Sequence, residues 1–480
     1  MPVYIFFALP IACILCSHAF FVNKRANLVA NLCLQTSWLA YLIAVIVDAA
    51  PTFVADSVGR GAFCFRLNPL GVLFALVISL LWPFLYLYSS QYIHRLLQQK
   101  RGLFLFFLNA SVCLALLLTL ADNLTTMYVF YELLTLATIP LVAFGYDPAA
   151  DKALGQYILY LMGTSAVLLL PAIVILGQGG IGQFARHTQA SEFAGIAFVM
   201  MFFGFAKAAP FPLHSWLLTA MRAPYPTSAL LHAVVVVKMG LFCMARVAYD
   251  LFEPGLLASI VPLRWCVMGL VAIGAAYLGV MSTRQSNIKT TLAYSTLSYL
   301  NLLCVGIISF EPWIFCVALQ KAVLHAIAKC AIFLSFGILY MDCEVTDFRQ
   351  LDGIRAPFGA VIFCLVAAFL KTLTPVLGIG NLHSCFEVDC LFEYLTIVIA
   401  SCSFLIVCKI IYFAVCLSQH NLQVRDTIFT LFTYKSMYNC LTLPKTASML
   451  CAVLFIVTVE YVVVPPCLSI VQYMIKYFYL

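Results

Sequence analysis

Charged residues are scarce in this 480-residue sequence, in which Asp, Glu, Lys and Arg together make up only 9% of the positions. An ordinary soluble domain carries about 25% charged residues. Hydrophobic residues instead reach 64%, and the mean hydropathy is +1.04. These values exclude an ordinary soluble domain and indicate an integral membrane protein.

The sequence also lacks the paired motifs of metal and redox sites and the basic clusters of nucleic-acid-binding proteins. It has 20 cysteines, but the one CxxC, Cys13 to Cys16, lies in an apolar run without a second pair. Free cysteines in such runs usually pack as small hydrophobes. The formal net charge of +7 comes from Lys and Arg spread singly or in small groups over loops. We therefore expect this chain to hold no metal site and no redox dithiol, and to bind no nucleic acid.

Long apolar runs separated by short polar loops predict an all-α membrane protein. At about 20 residues per span, the sequence accommodates about 14 transmembrane helices, and the alternating pattern of an outer-membrane barrel is absent. The first span follows no recognisable cleavable signal or transit peptide. The predicted spans are 2–21, 28–50, 69–89, 103–120, 124–145, 155–177, 193–219, 227–250, 257–281, 290–309, 313–340, 357–383, 391–417 and 447–471.

Lys and Arg concentrate in the loops on one side of the predicted bundle. The positive-inside rule assigns that side, which includes the loop with Arg284 and Lys289, to the cytoplasm or matrix. We call it the inner side; both termini then lie on the outer side. A lysine within hydrocarbon costs about 2.5–3.5 kcal/mol, so lysines inside spans require a reason. Those lysines are Lys207, Lys238, Lys321, Lys329, Lys371 and Lys409.

Prolines interrupt two of the predicted spans. Pro210 and Pro212 break the span 193–219 just after Lys207, and Pro375 breaks the span 357–383. A proline frees main-chain groups that only protein or cavity water can satisfy inside a membrane. Broken helices of this kind mark the ion sites of many secondary transporters.

The positions of the two broken spans suggest an internal repeat. If spans four to eight and nine to thirteen form two five-helix units, the broken helix is the fourth member of each. Because five is odd, the second unit is inverted relative to the first. This predicts an N-terminal three-helix segment at 1–102, repeats at 103–250 and 251–417, and a loop with a C-terminal helix at 418–480.

Glu132 lies in the middle of the span 124–145 and offers a partner of opposite charge to Lys207. Opposite charges favour the ionised forms of such a pair, whereas burial favours the neutral forms. The pair would therefore form a proton site that can switch. A static buried salt bridge is the alternative interpretation.

The span 227–250 contains His232 and Lys238, which lie about 120° apart around a helix and could border one hydrated seam. Histidine titrates near neutrality and relays protons, although a packing role is the alternative. The span 313–340 carries Lys321, His325 and Lys329 at i, i+4 and i+8, on one helix face. Because apolar residues surround that face, we predict a hydrated proton wire there instead of a basic surface stripe.

These residues lie in motifs that resemble the antiporter-like, proton-translocating subunits of respiratory complex I and the large subunits of Mrp-type cation/proton antiporters. The resemblance extends over about residues 70–380. The motifs are YELLTLATIPL around Glu132, FAKAAPFPLHSWLLTAMRAPYPTSALLHAVVVVKMG at 205–240, RQSNIKTTLAYSTLSYL at 284–300 and HAIAKCAIFLSFG at 325–337.

The resemblance implies the helix number and inverted repeats given above, with Glu132 paired to Lys207 and Lys207 as the central proton carrier. It implies that the other links of a hydrated axis are His232, Lys238, His325 and Lys329. A further charged residue is expected after the second break, where this chain has Leu382 with His383 beside it. His383, or Lys371 before the break, would take that role.

The resemblance further implies a proton-translocating membrane-arm subunit of NADH:ubiquinone oxidoreductase in the mitochondrial inner membrane. Its partners would be other membrane-arm subunits and the lipid bilayer. This chain would bind no cofactor, while NADH, FMN, iron–sulfur clusters and ubiquinone would serve the rest of the complex. The alternatives are the large subunit of an Mrp-type sodium/proton antiporter in a bacterial plasma membrane, and a structural subunit, which the buried charges argue against.

Overall fold

The structure is a computed structural model that describes much of the chain up to residue 351 and a short helical stretch after it. The described residues are α-helical apart from short turns and two isolated β-bridges, Phe65 with Ala121 and Asn287 with Asp347. The described ranges are 4–19, 24–49, 63–96, 101–144, 150–178, 184, 194–251, 254–351, 391–392, 394–403 and 405–406.

The helices of the described ranges follow one another along the chain. The α-helices are α1 (Tyr4–Ala19), α2 (Lys24–Ala49), α3 (Pro69–Leu96), α4 (Arg101–Thr119), α5 (Leu124–Ala143), α6 (Ala150–Ile158), α7 (Leu170–Gln178), α8 (Ala194–Gly204), α9 (Ser215–Thr219), α10 (Tyr225–Ala229), α11 (Val236–Asp250), α12 (Pro254–Arg284), α13 (Ile288–Ile308) and α14 (Pro312–Cys343). A short apolar helix, Tyr394–Ser403, follows.

The described residues also form three π-helical turns and three 3₁₀ turns, which lie between or after these helices. The π-turns are Leu159–Gly163 and Ser165–Leu169, between α6 and α7, and Leu230–Val234, between α10 and α11. The 3₁₀ turns are Ala206–Ala208, Ala220–Arg222 and Phe348–Leu351.

Polar residues begin several of the helices as their chemistry predicts. Asn123 caps α5 by accepting the N–H of Thr126 at 2.6 Å, and Asn287 caps α13 by accepting the N–H of Thr290 at 3.1 Å. An asparagine in this position satisfies a main-chain donor that the first helical turn leaves free. Pro312, whose missing N–H costs nothing there, opens α14.

Eight helices in the described ranges are long and apolar enough to cross a membrane. Helical segments also occupy every predicted span between residues 2 and 340. Together these findings confirm an all-α, multi-pass membrane protein. The predicted spans 357–383 and 447–471 lie outside the described residues, so the helix count, the inverted repeat and the domain limits stay predictions.

The continuous segment Tyr225–Asp250 forms the centre of the bundle. Its most apolar stretch is 100% buried, and that of Ile288–Ile308 is 94% buried, whereas that of Leu154–Gly177 is only 22% buried. Side chains on the central segment therefore face other helices and cannot reach the membrane surface by extending along lipid. A lysine on this segment must find its partners inside the protein.

Candidate functional site

Lys207 lies in an interruption of the helix predicted at 193–219. The α-helix ends at Gly204, a 3₁₀ turn covers Ala206–Ala208, and the helix resumes at Ser215. The predicted break is therefore present. It begins before the two prolines, because the chain already leaves the helical conformation directly after Gly204.

Buried side chains satisfy the main-chain groups that the break sets free. Asn301 of α13 donates through Nδ2 to the carbonyl oxygen of Ala209 at 3.3 Å and accepts the N–H of Phe211 through Oδ1 at 2.8 Å. Trp216 Nε1 donates to the carbonyl oxygen of Ala206 at 3.0 Å. A buried main-chain group without a partner costs about 1–3 kcal/mol. Asn301 therefore stabilises the interrupted form of the helix.

The fully buried side chain of Lys207 is held by Tyr131 of α5. Its Nζ donates to the carbonyl oxygen of Tyr131 at 2.8 Å and lies 3.1 Å from the centroid of that ring. The Lys207 N–H donates to the Tyr131 hydroxyl at 3.1 Å. On the other side, a Cβ at Gly240 would overlap the main chain of Lys207 and Ala208. Glycine at 240 thus allows α11 to pass directly beside the break.

Glu132 does not form the predicted ion pair with Lys207. The lysine Nζ binds the Tyr131 carbonyl instead, and Oε1 of the partly buried Glu132 has no hydrogen-bond partner. Neighbouring residues on a helix point about 100° apart. Because Tyr131 faces the bundle, Glu132 turns towards the side of α5 that exposes Leu133 and Leu136. The predicted direct pairing is wrong for this structure, although the two charges interact electrostatically; the role of Glu132 in transport stays a prediction.

Lys238 of α11 and His325 of α14 meet in the interior. The Lys238 Nζ lies 2.9 Å from Nδ1 of His325, and the two residues are 2% and 0% exposed. The imidazole stacks on Tyr299 with ring centroids 4.5 Å apart and planes 9° apart. A lysine ammonium donates to an imidazole nitrogen that carries no proton. The pair is therefore a donor and an acceptor between which one proton can move.

His232 lies in the π-turn Leu230–Val234 and is fully buried. Its ring packs on Phe333 with centroids 5.2 Å apart, and neither ring nitrogen has a protein partner. The His325 Nε2 is also without one. Buried polar atoms are normally hydrogen-bonded, and ordered water is the usual partner where protein offers none. A packing role alone therefore does not account for a buried His232 whose two ring nitrogens both lack a protein partner.

Lys329 of α14 reaches the neighbouring helix α13. Its Nζ donates to the Ser295 hydroxyl at 2.5 Å and to the carbonyl oxygen of Leu292 at 3.3 Å. Its charge also acts on the buried rings of His232 and His325. We call Lys238, His325, His232 and Lys329 the lysine–histidine row.

Lys321 is buried as well, but it points to a different neighbour. Its Nζ donates to the Thr396 hydroxyl at 3.2 Å and lies 5.5 Å from the centroid of the Phe392 ring. The predicted stripe on α14 is therefore buried along its whole length. Because α14 is packed on several sides, the stripe contacts three helices. Lys321 reaches the helix Tyr394–Ser403, His325 meets Lys238 of α11, and Lys329 reaches α13.

In the described part of the chain, no carboxylate lies within ion-pair distance of Lys207, Lys238 or Lys329. Neutral oxygens and one imidazole hold these amines. A lysine held by neutral acceptors can exist as ammonium or as amine, which a proton carrier requires. Within the same ranges, no group of three or more His, Cys, Asp or Glu is arranged to hold a metal ion.

The ion pairs that do form in the described ranges lie at the outer end of α11. Asp122 binds Arg66 at 2.8 Å and Arg246 at 3.5 Å, and Arg246 binds Asp250 at 2.6 Å. Arg246 is only 3% exposed. This network fixes the outer end of the helix that carries Lys238.

Four residues that contact the site or the break were not predicted from the sequence: Tyr131, Ser295, Tyr299 and Asn301. The last three lie on α13 within the predicted span 290–309, where their polarity was the available signal. His383, the predicted residue after the second break, lies outside the described residues, as do Lys371 and Pro375.

A family model described as NADH:quinone oxidoreductase/Mrp antiporter, transmembrane, matches residues 121–408 of this chain. A Staphylococcus aureus protein named as antiporter subunit mnhA2 is 28% identical over 330 residues, which cover 64% of this chain and 40% of the relative. The chain thus spans 40% of the length of the curated relatives it matches. The match to the family includes every described site residue.

Two solved structures share the fold. A chain in the structure of the Mrp complex from Dietzia sp. DQ12-45-1b has a TM-score of 0.69 at 18% identity, over 85% of this chain and 79% of that one. A chain in the structure of the membrane-bound sulfane sulfur reductase, an archaeal respiratory membrane complex, has a TM-score of 0.73 at 17% identity, over 99% of each. At these identities the likeness concerns the fold.

Proposed function

The chain belongs to the NADH:quinone oxidoreductase/Mrp antiporter transmembrane family, and from that premise we propose that it is an antiporter-like subunit that moves protons through buried lysine and histidine side chains. The lysine–histidine row would carry protons within the bundle. Lys207, in the broken helix, would be the carrier whose position responds to the rest of the complex.

The proposal rests mainly on one observation, which is the direct contact of Lys238 with His325 at 2.9 Å in the buried interior. Burying such a polar pair is costly, and apolar residues of similar volume often stabilise a protein core as well or better. Ionisable residues inside membranes accordingly mark ion pathways in most cases. A lysine facing an imidazole supplies both a proton donor and an acceptor.

Two kinds of complex would use such a subunit. In the first, the chain belongs to the membrane arm of NADH:ubiquinone oxidoreductase in the mitochondrial inner membrane and binds no cofactor itself. NADH, FMN, iron–sulfur clusters and ubiquinone then serve other subunits, and electron transfer there shifts the protonation of Lys207 and Glu132. In the second, it belongs to an Mrp-type sodium/proton antiporter in a bacterial plasma membrane, which the Staphylococcus relative and the Dietzia structure favour.

Purification of the chain with its natural partners separates the two complexes. NADH oxidation with flavin and iron–sulfur subunits supports the first, whereas sodium-dependent proton exchange without redox activity supports the second. In either complex, Lys207→Met should abolish coupled proton transport while the chain still inserts and assembles. The control Arg349→Gln removes an exposed cation of the inner side and should leave transport unchanged. Normal transport by the assembled Lys207→Met complex would contradict the proposal.

A further inference from the structure

Four tyrosines lie together near the inner ends of their helices, outside the lysine–histidine row. Tyr88 and Tyr92 belong to α3, Tyr225 begins α10, and Tyr340 lies near the end of α14. Ring centroids are 5.8 Å apart for the first pair and 5.4 Å apart for Tyr225 and Tyr340. Gly337 of α14 lies against both the Tyr88 hydroxyl and the Tyr225 Cβ. We call these four residues the tyrosine cluster.

Lys289, in the first turn of α13, lies beside the tyrosine cluster. Its Nζ donates to the carbonyl oxygen of Ala223 at 2.7 Å and lies 4.3 Å from the centroid of the Tyr225 ring. The sequence placed Lys289 in an inner loop. The structure instead shows a partly buried side chain whose ammonium reaches between helices. Lys289 therefore extends from the inner surface into the bundle.

Two elements connect the cluster to the lysine–histidine row. Tyr225 precedes His232 by seven residues, two turns along the same continuous segment. On α13, Leu292 follows Lys289 by three residues and accepts a hydrogen bond from Lys329. The charges of Lys289 and Lys329 both act on the His232 ring.

Unpartnered polar atoms lie at both ends of this connection. The Tyr88 hydroxyl is buried without a hydrogen-bond partner, as are both ring nitrogens of His232. Tyr88 is 5% exposed and His232 is 0% exposed. Since ordered water usually satisfies such groups, the Tyr88 hydroxyl and the His232 ring nitrogens are the atoms to which the water molecules of a proton path would bind.

We propose that Lys289 and the tyrosine cluster form the inner mouth through which protons enter the lysine–histidine row. This inference rests on the proposed function of the chain. A proton leaves the Lys289 ammonium for bound water and passes on to the His232 imidazole. Lys289 then takes up one proton from the inner solution, so that each transfer returns it to its starting charge.

The first test compares Lys289→Gln with Arg284→Gln in the assembled complex. Both variants remove one cation from the same side, but Arg284 is exposed. Because a proton-transferring side chain contributes roughly 10²–10⁴-fold to a rate, we expect Lys289→Gln to lower proton transport by at least about ten-fold. Arg284→Gln should keep it. Equal transport rates in the two variants would overturn the proposal.

Tyr88→Phe supplies a second test that does not depend on the folding of the Lys289 variant. The substitution removes a hydroxyl without a protein partner, so a purely structural role predicts unchanged or higher thermal stability and unchanged transport. A role of Tyr88 in the inner mouth predicts that Tyr88→Phe has unchanged or higher thermal stability but a several-fold lower rate of proton transport. Normal transport by Tyr88→Phe overturns the proposal, also when Lys289→Gln fails to assemble.

Chemical rescue tests the role of the ammonium itself. Lys289→Cys is treated with an aminoethyl or a methyl methanethiosulfonate reagent from the inner side, and the unsubstituted chain serves as control because it has 20 cysteines of its own. Transport should return with the aminoethyl reagent only. Equal recovery with both reagents, or no recovery in fully labelled protein, contradicts the proposal.

The Lys207→Met variant separates failure of this inference from failure of the proposed function. If Lys207→Met stops transport while the Lys289 and Tyr88 variants transport normally, the inner mouth alone is overturned. If all three variants transport normally, the proposed function is overturned with it.

Discussion

Asn301→Ala tests how the break beside Lys207 is held. The substitution removes the side chain that binds the carbonyl oxygen of Ala209 and the N–H of Phe211. Each net hydrogen bond contributes about 0.5–1.5 kcal/mol, and a buried group left unpaired costs about 1–3 kcal/mol. The two contacts together predict a loss of about 2–4 kcal/mol in the free energy of unfolding.

Ser298→Ala is the matched control on the same helix, three residues earlier. Its hydroxyl donates to the carbonyl oxygen of Ala275 at 2.7 Å and not to the main chain of the break. This variant also loses one buried hydrogen bond, at a cost of about 1 kcal/mol. Thermal unfolding of the purified complex measures both losses, and proton uptake by vesicles measures transport.

The expected result is that Asn301→Ala loses more stability than Ser298→Ala and also loses transport. Lys207 lies two residues before Ala209, so its Nζ is no longer held against Tyr131 once the break relaxes. Equal losses of stability with normal transport in both variants would refute the reasoning that Asn301 holds the break open.

Three further predictions test other contacts. Gly240→Val should reduce the amount of assembled complex, measured by native electrophoresis, because any Cβ there overlaps the main chain of the break; assembly at the normal level would contradict the observed packing. His325→Gln should stop proton transport, whereas Tyr299→Phe, which keeps the stacked ring, should retain most of it; the reverse result would contradict the assigned roles. Arg246→Gln removes the ion pair to Asp250 and the longer one to Asp122, which keeps Arg66, and should cost about 1–3 kcal/mol of stability, while the assembled fraction transports normally.

Helix positions in the described ranges were predictable because membrane thickness and proline chemistry determine them. The span predicted at 313–340 corresponds to α14, Pro312–Cys343. Its length follows from the thickness of the hydrocarbon region. The interruption near Lys207 was predictable because proline cannot continue a helix.

Contacts that depend on helix rotation were not predictable in the same way. Whether Tyr131 or Glu132 faces Lys207 is decided by a rotation of about 100°, and both are compatible with the apolar pattern of α5. The π-turn that carries His232 has no distinguishing residue type. Such turns shift the register of one helix face, and only packing against the neighbours selects them.

The contact between Lys238 and His325 was predictable from the sequence only in part. Charge in an apolar sequence identified Lys238 and His325 separately, because each is costly in a membrane. Their direct contact joins residues 87 positions apart. It depends on how α11 and α14 pack together, which spacing within one helix does not determine.

Proton uptake by vesicles that contain the assembled complex with Lys238→Met tests the proposed function most directly. The methionine keeps the length and apolar packing of the lysine but cannot donate a proton to His325. We predict a complex that inserts and assembles but moves no protons in the coupled reaction, beside an Arg349→Gln complex that moves them at the normal rate. A normal rate in the assembled Lys238→Met complex would contradict proton transfer through the lysine–histidine row.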